Sequence, residues 1–367
     1  MQTCSSAAIA NIEPQASNTA SPQGRKVSSG HRRIRSPQEL RELIPLAQAD
    51  ELRVQEHRRQ VRDILEAKDQ RLLVVVGPCS IHNLEGAYEY GRKLQGLAEQ
   101  VSDRLLLVMR AYFEKPRTTV GWKGLVADPH LDGSNDMDYG LEQARRLLAE
   151  LCGLGLPLAT EALSPLVAEY LQDYISWTAI GARTTESQTH REMASGLESV
   201  VGFKNATDGG LQVAIDAMRS AASPHEYLGI DASGQVAIRQ TAGNSASHVV
   251  LRGAKGAPNY DVVSVARCRN ALQAAGLSPR IMVDCSHDNS NKDYRRQPEV
   301  LKAVLEQIQA GDQSLFAVML ESHLKEGKQA VDGNPAALDP HCSITDGCIG
   351  WETTEQLIGQ LYEGLAR

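Results

Sequence analysis

From residue 71 onward, short uninterrupted apolar runs alternate with longer amphipathic stretches. The runs at 72–76, 105–109, 156–160, 176–180, 200–203, 248–251, 281–283 and 315–320 have the length of strands. Between them lie helical stretches at 84–100, 139–151, 186–197, 208–221, 261–275 and 297–310, and a last helix is predicted over 353–365. Three of these helices run into a glycine, Gly153, Gly276 and Gly311, a common helix stop. Strands that alternate with helices indicate an α/β fold with a parallel sheet. A count of eight favours closure, so the expected fold is a (β/α)8 TIM barrel spanning 71–367.

Ahead of the barrel, 36–70 reads as an N-terminal helical extension. Ser36-Pro37-Gln38-Glu39 is a helix start, with proline at the first helical position and glutamate at the third, and Pro45 should interrupt the helix. Residues 227–240 read as two short strands around Ala232-Ser233-Gly234, a β-hairpin inserted before the sixth barrel strand. Two loops stand out, 111–137 and 325–339, and long loops in a compact domain are usually functional. The first residues are rich in Ser, Ala, Asn and Gln without the apolar core of a signal peptide. They are expected to form a disordered tail over 1–35, with a cleaved transit peptide as the rival reading.

Composition narrows the function. The chain has 367 residues, 42% hydrophobic and 23% charged, and no apolar run approaches membrane-spanning length. A net charge of −7 argues against nucleic acid as a partner. It leaves room for small anions held by a local cluster of cations. The seven cysteines form no CxxC pair, which suits a reducing cytoplasm.

The residues just after the strands carry the chemistry. They are Cys79, Arg110, Glu161, Gly181-Ala182-Arg183, Lys204, Arg252, Asp284 to His287 and Glu321 to His323. In a (β/α)8 barrel these positions converge on one face, the catalytic one. Solubility alone explains any single Arg or Glu there. It does not explain Arg110, Arg183, Lys204 and Arg252 from four strands, with Lys115 and Arg117 close behind. Six cations at one mouth imply a ligand rich in phosphate and carboxylate. Cys79, His287, Glu321 and Asp346 form a second group that can ligate a divalent transition metal. Their sequence spacing is not diagnostic, and a lone cysteine or histidine at such a place is more often structural.

Longer stretches carry a resemblance. GPCSIH from Gly77, MRAYFEKPRTTVGWKG from Met109, IGARTTESQTHREMASG from Ile180, GFKN from Gly202, DCSHDNSNKDYRRQ from Asp284, ESHLKEG from Glu321 and SITDGCIGWE from Ser343 resemble the type I 3-deoxy-arabino-heptulosonate 7-phosphate (DAHP) synthases of bacteria and fungi. The likeness runs from about Ser36 to the last helix. It implies a metal-dependent transferase of the shikimate pathway. Such an enzyme condenses phosphoenolpyruvate with erythrose 4-phosphate and water, giving DAHP and phosphate. It further implies that Cys79, His287, Glu321 and Asp346 hold one divalent ion, with Mn, Fe, Co and Zn all candidates. Phosphoenolpyruvate would meet Arg110, Lys115, Glu161, Gly181, Ala182, Arg183, Lys204 and Arg252. Erythrose 4-phosphate would meet Lys115, Arg117, Thr118 and Asp346. Lys115, Glu161, His287 and Asp346 are the catalytic candidates, with Lys115 a proton donor and Glu161 a group that orients water.

The resemblance also implies a homodimer or homotetramer and feedback inhibition by an aromatic amino acid. Tyrosine is the first expectation and tryptophan the second. Glu198 stands where bacterial relatives often carry serine, in the stretch that forms the inhibitor pocket. Two further departures lie near cations: Ala206 replaces a glycine after Lys204, and Ala254 to Ala257 carry one extra residue after Arg252. The rival readings are a related octulosonate-phosphate synthase acting on arabinose 5-phosphate, a non-catalytic barrel scaffold, and a phosphosugar aldolase or isomerase. The KPRTT stretch speaks against the first, the intact Cys/His/Glu/Asp set against the second, and that set beside so many cations against the third.

Overall fold

A computed structural model describes residues 30–117 and 120–365. The expected tail lies outside the described residues as far as residue 29, and so does Thr118. Residues 30–33 carry no regular secondary structure.

From Ile34 on, the elements are α1 (Pro37–Leu43), α2 (Gln48–Leu65), β1 (Leu72–Gly77), α3 (Leu84–Val101), β2 (Leu105–Arg110), α4 (Met137–Gly153), β3 (Leu158–Glu161), α5 (Pro165–Leu171), β4 (Trp177–Ile180), α6 (Gln188–Ser195), β5 (Val200–Lys204), α7 (Gln212–Ala221), β6 (His225–Ile230), β7 (Val236–Thr241), β8 (Ser247–Leu251), α8 (Val262–Ala274), β9 (Ile281–Asp284), α9 (Gln297–Gln309), β10 (Leu315–Glu321) and α10 (Trp351–Gly364). Eight strands close a barrel in the order β1-β10-β9-β8-β5-β4-β3-β2, and every adjacent pair is parallel. The expected (β/α)8 barrel is therefore the observed fold.

Each barrel strand is buried along its whole length, which is why the strands read as apolar runs rather than alternations. Alternate residues serve two cores. Leu73, Val75, Leu106, Val108, Trp177, Met282, Phe316 and Met319 belong to the inner cluster that fills the barrel. Val74, Val76, Leu107 and Val318 belong to the outer cluster shared with the helices. The filled interior leaves the C-terminal strand ends as the open face.

The extension ahead of the barrel forms two helices, broken around Pro45 as expected. The Ser36 Oγ accepts the Glu39 N–H at 3.2 Å, and the Glu39 carboxylate accepts the Ser36 N–H at 2.6 Å. The inserted hairpin is the antiparallel pair β6–β7. Alternation leaves Leu228, Val236 and Ile238 about 67–78% exposed on one of its faces. At its tip, the Ala232 carbonyl accepts the Gln38 N–H at 2.7 Å.

One helix was absent from the sequence expectation. α5, between β3 and β4, has seven residues, too few to show a period. Its start is nonetheless readable: the Ser164 hydroxyl caps the Val167 N–H, and Pro165 opens the helix.

Candidate active site

The strand ends converge on a cavity of about 690 Å³. Lys115, Arg117, Glu161, Gly181, Ala182, Arg183, Lys204, Arg252, His287, Glu321 and Asp346 all line it. Its floor is built from buried charge. Lys204 Nζ lies 3.0 Å from Asp284 Oδ2, with both side chains almost wholly buried. The other Asp284 oxygen accepts the Ser286 N–H at 3.0 Å and the Ser286 hydroxyl at 2.7 Å. Burial pushes the Asp284 carboxyl up, yet the His287 imidazole and Lys204 ammonium hold it well below the usual carboxylate range.

His287 depends on that hub. Its Nδ1 lies 2.8 Å from Asp284 Oδ2 and 2.7 Å from Ser286 Oγ, which leaves Nε2 as the free ring nitrogen. Its backbone is left-handed, φ 55°, an uncommon conformation for a residue other than glycine. Such conformations cluster at functional sites, where the surroundings over-determine them. Here Asn289 donates to the carbonyls of Leu251 and Asp284, and the Lys292 N–H closes the turn on the His287 carbonyl at 2.7 Å.

Cys79, Glu321 and Asp346 form a second cluster. One ligand atom from each lies within 4.8 Å of the other two, a compact sulfur and oxygen donor set that fits a divalent ion. His287 stands at its edge, with Nε2 3.9 Å from Glu321 Oε1. Lys115 Nζ reaches between the donors, 2.7 Å from Cys79 Sγ and 3.0 Å from Asp346 Oδ2. Burial pulls the Lys115 ammonium toward neutrality, but the sulfur and the carboxylates of Asp346 and Glu321 push its pKa well above the ordinary lysine value. Complete burial raises the Cys79 thiol to about 11. A bound cation would displace that proton, since metal sites take the thiolate.

The remaining residues hold the walls. A Cβ on Gly181 would lie 2.3 Å from Glu161 Oε1, so only glycine lets that carboxylate rest against β4's exit. Arg252 pairs with Asp288, and its N–H donates to Asn205 Oδ1 at 2.8 Å. Arg117 donates to the Trp122 carbonyl at 2.7 Å and also lines an adjoining cavity of about 860 Å³.

The family model for the DAHP synthetase I family matches residues 46–358. The chain belongs to the DAHP synthetase I family. Among its relatives is the Tyr-sensitive phospho-2-dehydro-3-deoxyheptonate aldolase of Escherichia coli (strain K12), 54% identical over 332 residues that cover 90% of this chain and 93% of the relative. The phenylalanine-inhibited enzyme of Saccharomyces cerevisiae is 46% identical over 342 residues, 92% of each chain. A solved phospho-2-dehydro-3-deoxyheptonate aldolase from Francisella tularensis SCHU S4 superposes with a TM-score of 0.89 at 43% identity, covering 92% of this chain and 98% of that one.

Within this family frame, most expected residues share one cavity, and three described ones do not line it: Cys79, which is wholly buried, Arg110 and Glu198. Arg110 lies beneath the floor, 1% exposed, donating to Glu321 Oε1 at 3.1 Å instead of lining the cavity. Glu198 lies between α6 and β5, on the opposite face of the barrel, where its exposed carboxylate pairs with Arg58 of α2. Sequence reasoning missed Asp284 as the hub. It missed Lys292, Tyr294, Arg295 and Lys328 as cavity walls. Asp284 carried a signal, as an acid on the last residue of a buried strand. The others sit on loops that fold back over the mouth, and nothing in their spacing announces it.

Proposed function

We propose that this chain is a DAHP synthase. It joins C3 of phosphoenolpyruvate to the aldehyde carbon of erythrose 4-phosphate, adds water at C2, and releases inorganic phosphate. The single observation that carries the reading is a cation-lined cavity over a Cys79, Glu321 and Asp346 donor set. Two phosphates and a carboxylate are the anions that a cavity lined by so many cations would receive.

In this reading Arg110, Lys115, Glu161, Gly181, Ala182, Arg183, Lys204 and Arg252 receive phosphoenolpyruvate. Lys115, Arg117, Thr118 and Asp346 receive erythrose 4-phosphate. Cys79, His287, Glu321 and Asp346 would hold one divalent ion of Mn, Fe, Co or Zn, which would supply Lewis-acid chemistry to the condensation. The cations orient both substrates and balance charge that develops between them. Lys115 stays protonated in its nest of acids and delivers a proton to the new alkoxide. Glu161, on the wall beside Gly181, orients the water that adds at C2.

The enzyme works in the cytoplasm, as its free thiols at Cys79, Cys152, Cys268, Cys285, Cys342 and Cys348 suggest. Among the described residues, no helix is long and apolar enough to cross a membrane. An aromatic amino acid, tyrosine before tryptophan, inhibits it by feedback, and Glu198 takes part in that response. The exposed Leu228, Val236 and Ile238 face of the hairpin supports a homodimer or homotetramer. Light scattering on the purified protein tests that part.

The main test offers phosphoenolpyruvate with erythrose 4-phosphate or with arabinose 5-phosphate, and identifies products by mass spectrometry. A seven-carbon acid phosphate from erythrose 4-phosphate is expected. Preferential turnover of arabinose 5-phosphate would move the chain to the octulosonate rival. No product from either sugar would defeat the synthase reading.

A further inference from the structure

Tyr112 is the second residue after β2 and sits in the inner cluster of the barrel, 2% exposed. Its hydroxyl has no hydrogen-bond partner among the described residues. A phenol buried in that state is costly, and each such group in a folded protein asks for an account. The ring supplies one. Its centroid lies 4.0 Å from Cζ of Arg110, a stacking contact with the guanidinium.

Arg110 needs that support. Its Nε donates to the Pro78 carbonyl at 3.2 Å, and its Nη2 to Glu321 Oε1 at 3.1 Å. Its Nη1 meets only the Met319 sulfur at 2.9 Å, and a thioether is a weak acceptor. Its Nη2 also lies 3.5 Å from the Cys79 carbonyl, so the donor capacity left to the guanidinium is at Nη1. Edge contacts fix its in-plane position, and the Tyr112 ring fixes its height. The Tyr112 carbonyl accepts the Ile81 N–H at 2.9 Å, so the support is itself tied to the turn that carries Cys79.

We propose that Tyr112 is a positioning residue for phosphoenolpyruvate binding: its ring, not its hydroxyl, holds the Arg110 guanidinium against Glu321, beneath the substrate pocket. The inference rests on the synthase reading above. A desolvated cation–π contact corresponds to roughly a thirtyfold change in affinity. Loss of the ring should therefore weaken phosphoenolpyruvate while sparing erythrose 4-phosphate, whose expected partners, Lys115, Arg117, Thr118 and Asp346, do not include Arg110.

The test is calorimetric titration of the full chain, loaded with Mn, with phosphoenolpyruvate alone. Tyr112→Leu and Tyr112→Met remove the ring at different volumes, so one remains informative if the other does not fold. Each should raise the dissociation constant about tenfold to thirtyfold, with KM for erythrose 4-phosphate within about twofold of wild type. Tyr112→Phe should restore phosphoenolpyruvate affinity to within about threefold. In an Arg110→Met background, Tyr112→Leu should add nothing. Wild-type affinity in the ring-less variants would overturn the proposal. So would a Tyr112→Phe defect as large as that of Tyr112→Leu, or an undiminished effect without Arg110. A wild-type chain that does not bind phosphoenolpyruvate would take down the synthase reading as well, and is read first.

Discussion

Asp284→Asn probes the hub of the site with little change of shape. The wild-type carboxylate is fully buried and serves Lys204 at 3.0 Å, His287 Nδ1 at 2.8 Å, and the N–H and hydroxyl of Ser286. An asparagine keeps one acceptor oxygen but points an NH2 group at a remaining donor. Two losses result. His287 no longer has a charged acceptor to fix Nδ1–H and free Nε2. Removing such a supporting partner typically weakens metal binding about 10–100-fold, or roughly 1.4–2.7 kcal/mol. Lys204 is left as a buried charge without its partner, which costs about 3–5 kcal/mol unless the amine gives up its proton. Competition with a chromophoric chelator measures the first loss, and urea unfolding of the metal-free protein the second. A folded Asp284→Asn variant with metal affinity within twofold of wild type would refute the claim that Asp284 orients a metal-binding His287.

Single groups elsewhere give further expected outcomes. Burial raises the Glu114 carboxyl to about 7, against bonds from the Leu163 and Ser164 N–H groups, so the native state holds a proton that the unfolded state has released. Stability should therefore fall as pH rises from about 4.5 to about 7, by up to a few kcal/mol, and Glu114→Gln should flatten that slope in melts at pH 5 and pH 8. Gly181→Ala forces a Cβ against Glu161 Oε1 and should lower kcat/KM on the order of 100-fold, as misplacements near 1 Å do. Unchanged kinetics would mean that Glu161 has no positional role. Glu198→Ser removes an exposed ion pair with Arg58 and should change stability by less than about 1 kcal/mol. Inhibition assays with tyrosine, tryptophan and phenylalanine on this variant and on wild type test its part in feedback.

The barrel was legible because its strands are buried on both faces and so write themselves as apolar runs such as Leu72 to Val76. The hairpin was legible for the opposite reason, since one face of β6–β7 is exposed and its residues alternate. α5 escaped because seven residues span two turns and carry no readable period. Topology collected Lys204, Arg252 and Glu321 at one mouth from their places at the strand ends. It could not tell which side chains rise into the cavity and which sink beneath it, so Arg110 was expected with the other cations at the mouth and lies buried beneath it. The left-handed backbone of His287 has no signature in a linear pattern. The Lys292 N–H closes that turn locally on the His287 carbonyl, and Asn289 ties the turn to the Leu251 carbonyl, a bond that exists only once β8 and β9 are side by side. Glu198 was singled out from a resemblance, and its partner Arg58 comes from a helix 140 residues earlier in the chain.

The central claim is that a cation-lined barrel mouth and a Cys79, Glu321 and Asp346 metal group together make DAHP. The most direct measurement is inorganic phosphate release from phosphoenolpyruvate, with and without erythrose 4-phosphate, before and after chelator treatment. Release is expected only when both substrates are present, with loss after chelation and recovery on adding one of Mn, Fe, Co or Zn. Full-rate release after chelation, or none after metal repletion with both substrates present, would contradict the claim.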